Sequence, residues 1–144
     1  MIELKLSLND YISIFIHQTD LLLTNYVKNQ LAPFNIAPEQ NLIMMVLWEK
    51  DGLTQNEVGQ KVDKDKTNIA RMATSLEQKG FIKRSTCPYD RRSQRLYLTE
   101  EGRKLGETVI PIAEEFNNMV CKGISNEELI EVKRILSIMR KNVQ

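Results

Sequence analysis

The sequence is poor in the residues on which disulfide scaffolds, metal sites and most enzyme active sites depend. Its 144 residues include two cysteines, one histidine and one tryptophan. Cys87 and Cys121 are too few and too far apart for a disulfide framework, and adding His17 does not supply the four clustered ligands of a structural zinc site. We therefore expect no metal, no cofactor and a reducing, cytoplasmic setting.

Long apolar runs and glycine-rich loops are also missing. No stretch approaches the roughly 20 uninterrupted apolar residues that a membrane-spanning helix needs, and residues 1–5 have an early acid and no apolar run typical of a signal peptide. The sequence contains neither a phosphate-binding glycine loop nor a nucleophile elbow. With one histidine to act as a base, an enzyme is the least favoured class, and no membrane partner is expected.

The charge that is present is unevenly distributed. Residues 61–95 carry ten basic and four acidic side chains, a balance of +6, whereas the whole chain has a formal net charge of +1, which leaves −5 for the remainder. A basic middle between acidic flanks is typical of a protein whose central region meets a polyanion. A solvated surface of mixed charge is the alternative, and the charge pattern alone does not separate the two.

Hydrophobic periodicity predicts helices at both ends of the chain. Over residues 9–31, and again in the last third of the sequence, apolar residues recur at three- and four-residue steps. The starts of these helices are marked by residues that favour the first turn of a helix. The expected starts are Asn9 or Asp10, Pro38, Thr99 and Ser125.

The middle of the sequence predicts two short helices joined by a tight turn. Thr54 and Glu57 form a capping box, in which each side chain satisfies the other's free backbone donor. Asp65 can cap the next helix, expected over residues 66–79, and Gly80 suits its end. The two helices together indicate a helix-turn-helix.

After the second of these helices, the residue pattern changes to the two-residue alternation that is typical of β-strands. Residues 81–84 and 95–98 read as paired strands, and the polar, proline-containing stretch 85–94 is expected to be a loop between them. The predicted fold is mainly α with a small β-hairpin wing. It is a winged helix-turn-helix flanked by N- and C-terminal helices, with Ile69, Met72 and Leu76 in its core.

Four segments in this order resemble the MarR family of winged-helix regulators. They are Asp-Lys-Thr-Asn-Ile-Ala-Arg at 65–71, Leu-Glu-Gln-Lys-Gly-Phe-Ile-Lys-Arg at 76–84, Asp-Arg-Arg at 90–92 and Leu-Tyr-Leu-Thr-Glu-Glu-Gly at 96–102. The resemblance covers nearly the whole chain and implies a sequence-specific DNA-binding regulator, a repressor by preference. A winged-helix module for protein–protein assembly is the alternative, because a fold alone does not determine function.

The resemblance also implies which residues meet double-stranded DNA. Thr67, Asn68 and Arg71 match recognition-helix positions that approach base edges, where arginine suits guanine and asparagine suits adenine. Lys64 and Lys66 are better placed for phosphates. In the wing, Arg92 matches an arginine that enters the minor groove and Asp90 matches an acid that orients the wing. Further contacts with the DNA phosphate backbone are expected from Arg91, Arg95, Gln55 and Asn56.

The terminal helices are expected to form a homodimer. They carry more apolar surface than one thin lobe can bury, and burying a few hundred Å² contributes several kcal/mol at roughly 25 cal/mol per Å². We expect a single domain over residues 1–144, with dimerisation helices at 1–35 and 105–144 around a DNA-binding lobe at 38–103. A two-fold dimer predicts a near-palindromic operator.

Two further hypotheses concern the signal to which such a regulator responds. Relatives in the family bind small aromatic or anionic effectors, and Tyr11, His17 and Tyr26 lie on a helix that can border such a site. One branch of the family senses peroxides through a cysteine in the first long helix, but this sequence has none there. Redox control through Cys87, which lies among basic residues, is the alternative.

Overall fold

The computed structural model describes residues 6–144, except for the side chains of Cys87, Asp90, Arg91 and Arg92. Within that range no helix is long and apolar enough to span a membrane, and no cluster of described acidic, histidine or cysteine side chains is arranged to hold a metal ion. Six α-helices and two strands follow one another along residues 6–144. They are α1 (Ile12–Leu31), α2 (Pro38–Glu49), α3 (Gln55–Val62), α4 (Lys66–Gln78), β1 (Ile82–Cys87), β2 (Asp90–Leu98), α5 (Glu100–Val120) and α6 (Asn126–Val143).

The predicted helix caps at Thr54, Asp65 and Ser125 are confirmed. In each case a side-chain oxygen accepts a hydrogen bond from the backbone N–H three residues later, at 3.1, 2.8 and 3.1 Å. Such bonds satisfy donors that the first turn of a helix leaves free. Thr99 acts in the same way before α5, where its Oγ1 accepts from the N–H of Gly102 at 3.0 Å.

The predicted start of α1 is wrong. Leu8–Asp10 forms a single 3₁₀ turn, and α1 begins after Tyr11, which makes no side-chain cap. Asn9 and Asp10 therefore lie inside the short turn and not at the helix boundary. Apolar periodicity predicted the helix itself, but the sequence does not distinguish a 3₁₀ turn from the first turn of an α-helix.

The hairpin is longer than the sequence predicts. β1 and β2 are antiparallel, with Ile82 opposite Leu98 and Thr86 opposite Gln94. The stretch 85–94, expected to be a loop, is mostly strand, because both strands continue to within two residues of each other. Cross-strand hydrogen bonds hold the polar residues of this stretch in extended backbone, and the low apolar content of the segment does not reveal them.

The wing is joined to the end of α2 by a short third segment. The N–H of Gly52 donates to the carbonyl of Leu96 at 3.0 Å, and the N–H of Leu96 donates to the carbonyl of Leu53 at 2.8 Å. Thr54 and Arg95 form an isolated bridge next to these bonds. The base of the hairpin is therefore held by the loop that leads into α3.

The chain divides into two compact units, Met1–Ile110 and Pro111–Gln144, and the boundary falls within α5. The first unit contains a buried apolar core to which α1, α2, α3, α4, both strands and α5 contribute. Its members are Leu31, Ile36, Ile43, Met44, Leu47, Leu53, Val58, Ile69, Met72, Ala73, Leu76, Ile82, Leu96 and Val109. This core fixes the positions of α3, α4 and the hairpin.

The second unit consists of the end of α5, a turn at Gly123 and α6. Gly123 has a φ of 82°, a left-handed conformation that suits glycine between two helices. Every residue of α6 is at least partly exposed. The expected fold class, mainly helical with a two-stranded antiparallel hairpin, is confirmed.

Candidate nucleic-acid interface

The helix-turn-helix consists of α3, three intervening residues and α4. At the start of α3 the backbone N–H of Thr54 donates to the Glu57 carboxylate at 3.2 Å. This bond, followed by one from the Thr54 hydroxyl, holds the pKa of Glu57 below its ordinary value. In the turn, Asp63 adopts a left-handed φ of 56°, and the N–H of Lys64 donates to the carbonyl of Gly59 at 3.0 Å. The angle between the two helices is therefore set by an ordered turn.

One side of α4 anchors this helix in the core. Ile69, Met72, Ala73 and Leu76 are buried, at steps of three, one and three residues. This confirms the core positions predicted from the sequence. Because a helix turns by about 100° per residue, the buried stripe determines which side chains point away from the core.

The opposite side of α4 carries polar side chains. Thr67, Arg71 and Gln78 are exposed and Thr74 is half-buried, and their steps of four, three and four residues place all four on one face. Thr67 and Arg71 are predicted site residues. Thr74 and Gln78 are not, although the helical period that identifies the core also places them on this outward face.

Asn68 lies between the two faces and connects its neighbours. Its side-chain Oδ1 accepts a hydrogen bond from Arg71 Nη2 at 2.8 Å, and its Nδ2 donates to Asp65 Oδ2 at 3.4 Å. The other Asp65 oxygen accepts the backbone N–H of Asn68. Three side chains of the first turns of α4 therefore form a continuous chain of hydrogen bonds.

Four predicted phosphate-contacting residues line one open hollow beside the turn: Gln55, Asn56, Lys64 and Lys66. Asn56 and Lys66 are exposed. Lys64 is less free, because its Nζ lies 3.3 Å from a carboxylate oxygen of Glu39 and its side chain is 32% exposed. The Oε1 of Gln55 is buried and has no hydrogen-bond partner among the atoms that the structure describes.

The tip of the wing contains a bulge. The register of the hairpin shifts between Thr86 and Cys87, where β2 has three extra residues, 91–93. A bulge of this kind bends and twists a strand locally. Four predicted site residues have side chains outside those described, and their roles stay predictions: Cys87, Asp90, Arg91 and Arg92.

Two other arginines of the wing form hydrogen bonds with other parts of the chain. Arg95 Nη1 donates to the carbonyl of Gly52 at 2.9 Å. The backbone N–H and Nη2 of Arg84 donate to the two carboxylate oxygens of Glu77 at 3.0 and 3.2 Å. The backbone bond is the main reason that the pKa of Glu77 is lowered. These contacts fasten the hairpin to the α2–α3 loop and to the end of α4.

The three residues predicted to bind an effector do not share one face of α1. Tyr11 precedes the helix, and His17 and Tyr26 are nine residues apart, which places them on opposite sides. A hollow does lie beside α1, between the start of α2 and the middle of α4, but other residues line it. They include Thr24, Asn25, Lys28, Gln40, Arg71 and Ser75.

Comparisons with known proteins agree with this geometry. Residues 36–94 match the family model described as MarR family. The organic hydroperoxide resistance transcriptional regulator of Bacillus subtilis is 29% identical over 107 residues, which span 74% of this chain and 73% of the relative. The uncharacterized HTH-type transcriptional regulator YybA of the same organism is 26% identical over 105 residues, spanning 73% of this chain and 70% of the relative.

The whole fold also has a counterpart among solved structures. The crystal structure of the S. aureus MepR–DNA complex has a TM-score of 0.85 and 26% sequence identity, and it covers 93% of this chain and 99% of that chain. Both Bacillus subtilis relatives are named as transcriptional regulators. The family match spans α2, α3, α4 and most of the hairpin, which are the elements that form the helix-turn-helix and its wing. Over its helix-turn-helix and wing the chain therefore matches the MarR family model, and as a whole it is similar to winged-helix transcriptional regulators.

Proposed function

We propose that this regulator binds duplex DNA as a homodimer, with α4 in the major groove and the β1–β2 wing against the neighbouring backbone and minor groove. The observation that carries the proposal is the polar outward face of α4, formed by Thr67, Arg71, Thr74 and Gln78, directly opposite the stripe that anchors the helix. A major groove about 12 Å wide admits one helix presented in this way. The DNA-bound state of the MepR relative supports the same partner.

Phosphate contacts are proposed first for the side chains that are free to make them. Lys66 and Asn56 are exposed beside the turn, and Gln55 adjoins them in the same hollow. The head groups of Lys64 and Arg95 are already held by partners within the chain, a carboxylate and a backbone carbonyl, which limits the positions from which they can reach a phosphate. We therefore assign the larger share of the backbone affinity on the α3–α4 side to Lys66.

The wing contacts are proposed from the position of its bulge. Arg91 and Arg92 both belong to the extra residues of β2 at the tip. The family resemblance assigns Arg92 to the minor groove, where an arginine is attracted by the concentrated negative potential. It assigns Asp90 to orienting the wing and Arg91 to a phosphate.

The dimer is proposed from an apolar stripe on α1. Ile12, Phe15, Ile16, Leu22 and Tyr26 fall within about 120° of the helix circumference. Phe15 is 59% exposed and Leu22 is 74% exposed. A monomeric soluble protein rarely leaves such a continuous apolar surface uncovered. We propose that residues 1–35 and 105–144 of two chains cover each other around lobes formed by residues 38–103.

The last helix carries a second apolar surface. Val132, Ile135 and Leu136 of α6 are all exposed, although they occupy the stripe that the sequence predicts to be apolar. A partner chain would bury them. The resulting two-fold axis would set two recognition helices about 34 Å apart, one turn of DNA, and the operator would be nearly palindromic.

The oligomeric state can be tested with a charge in the α1 stripe. Phe15→Glu should convert a dimer into a monomer in sedimentation velocity, whereas His17→Glu, on the other side of α1, should leave the mass unchanged. Circular dichroism would establish that both variants keep their helices. A wild-type chain that sediments as a monomer at micromolar concentration would overturn the dimer.

DNA binding can be tested by selecting bound fragments from random duplex DNA. We expect a near-palindromic consensus and an affinity that falls steeply with salt, because binding releases counterions from the phosphates. A DNA affinity that does not change with salt concentration, or no binding to DNA in dilute buffer, would contradict a DNA-binding role. A protein partner bound without salt dependence would instead favour an assembly module.

We propose that a small anionic effector releases the regulator from DNA by occupying the hollow beside α1. The hollow places Lys28 near Arg71, so that an anion there would compete with DNA for the Arg71 guanidinium. Adding benzoate to the protein–operator complex should raise the Kd of the complex in the wild type and not in Lys28→Ala. If the regulator is a repressor, adding the effector to cells should raise transcription of a reporter placed under its operator.

A further inference from the structure

The chain of hydrogen bonds at the start of α4 gives Asn68 a different part in recognition from that of a base-reading residue. We propose that Asn68 is a positioning residue, which holds the Arg71 guanidinium ready for a guanine, and that it reads no base itself. The inference rests on the proposed DNA binding of α4. It adds a determinant of specificity that does not touch the base.

The orientation of the Asn68 amide follows from its two partners. A carboxylate can only accept hydrogen bonds and a guanidinium can only donate them. The group facing Asp65 must therefore be the amide NH₂, and the group facing Arg71 must be the amide oxygen, as the 3.4 and 2.8 Å distances show. Asp65 is itself fixed by accepting the backbone N–H of Asn68 at 2.8 Å.

Both polar ends of the Asn68 side chain are occupied by these bonds. Bidentate recognition of adenine uses the amide oxygen for N6–H and the amide nitrogen for N7. Pairing with adenine would use the same oxygen and nitrogen that already bond Arg71 and Asp65, so the base would compete with both neighbours for the orientation of the amide. It is also half-buried at the edge of the outward face, whereas Thr67 and Arg71 lie fully on it.

Arg71 keeps enough donors for a base after bonding to Asn68. A guanidinium has five N–H groups in a rigid fork, and one of them is used by the Asn68 oxygen. Two more suffice for O6 and N7 of guanine. The bond to Asn68 reduces the number of orientations that the long arginine side chain samples before it meets DNA, which is the basis of preorganisation.

The test measures base preference in a double-mutant cycle. The wild type, Asn68→Ala, Arg71→Ala and the double variant are each measured on the selected operator and on its single-base-pair variants. Asn68→Ala keeps the backbone N–H that Asp65 caps, so circular dichroism should show the helix content of the wild type. Asn68→Asp serves as the conservative variant, because it keeps an acceptor for Arg71.

We expect Arg71→Ala to lower discrimination at one guanine by roughly tenfold or more. Asn68→Ala should lower discrimination at that same guanine by about threefold to tenfold, and the double variant should match Arg71→Ala within about twofold, since coupled residues are not additive. Asn68→Asp should bind more weakly to every sequence but keep most of the preference for that guanine.

Three results for Asn68→Ala would overturn the inference while leaving the proposed function intact. They are a loss of preference at a different base pair, no change in any preference, and an effect that adds fully to that of Arg71→Ala in the double variant. Arg71→Ala without effect at any guanine would do the same. Failure of the wild type to bind duplex DNA in dilute salt would overturn the proposed function, and this inference with it.

Discussion

The carboxylate of Asp51 accepts a hydrogen bond from the backbone N–H of Leu98 at 2.9 Å, which joins the end of α2 to the base of the wing. The same oxygen accepts the N–H of Gly52 at 2.9 Å, and the other oxygen lies 3.5 Å from Arg103 at the start of α5. One side chain therefore connects three elements around the hairpin.

Replacing Asp51 with alanine should loosen this junction. Two backbone donors lose their acceptor, and each such loss typically costs about 1 kcal/mol when the donors are only partly shielded from water. We expect Asp51→Ala to lower the free energy of unfolding by about 1–2 kcal/mol in urea titrations. Glu49→Ala, which removes an exposed carboxylate two residues earlier, is the matched control and should change stability by less than about 0.5 kcal/mol. Equal effects of the two variants would contradict the junction.

Gly102 allows α5 to begin directly against the wing. A Cβ at this position would overlap the carbonyl oxygen of Phe81, which is backbone and not a flexible side chain. Gly102→Ala should therefore push α5 away from the hairpin and lower the free energy of unfolding by roughly 1–3 kcal/mol or more. Thermal unfolding would measure this against Thr108→Ala, an exposed position of the same helix. A Gly102→Ala protein as stable as the control would show that the junction can shift without cost.

Glu77 should make part of the stability depend on pH. Its pKa is lowered chiefly by the backbone N–H of Arg84 and further by the Arg84 guanidinium, so the folded state favours the carboxylate. This contribution is fully present above the usual glutamate value of 4.5 and is lost as the pH falls through the lowered pKa of the folded state. Glu77→Gln should flatten the decline of the unfolding free energy below about pH 4.5. Glu115→Gln, an exposed carboxylate of α5, is the control, and an equal flattening by both would contradict the assignment.

Phosphate contacts should be distinguishable from base contacts by their salt dependence. Lys66→Ala and Arg92→Ala should each weaken binding about equally on all DNA sequences, and Lys66→Ala should reduce the slope of log K against log salt by about one. Arg71→Ala should instead relax base preference. Lys133→Ala in α6 is the control cation. Small and equal effects of Arg71→Ala and Arg92→Ala would count against both assigned roles.

Local rules predicted much of the fold. The caps at Thr54, Asp65 and Ser125 depend on bonds between residues three apart, so the relevant partners are close together in the sequence. The core stripe of α4 depends only on the helical period. The true extent of the hairpin depended on strand pairing, and residues 85–94 have no apolar alternation from which that pairing could be predicted.

The sequence predicted which residues belong to the candidate interface, but it did not predict which partners they contact within the chain. Charge and motif order placed cations in the central third of the chain. They did not reveal that Lys64 pairs with Glu39, 25 residues earlier, or that Arg95 donates to Gly52, 43 residues earlier. Such partners are set by the packing of α2 against its neighbours, and short-range sequence patterns do not predict that packing.

The amino-acid sequence by itself determined the order of the helices, the turn between α3 and α4, the buried face of α4 and the positive charge around it, because each depends on residues within one or two helical turns. Only the tertiary structure decided which of those charges are free and which are already paired with residues distant in the sequence, as Lys64 is with Glu39. The physical reason is that hydrogen bonds and ion pairs need a distance and a direction, and folding sets both.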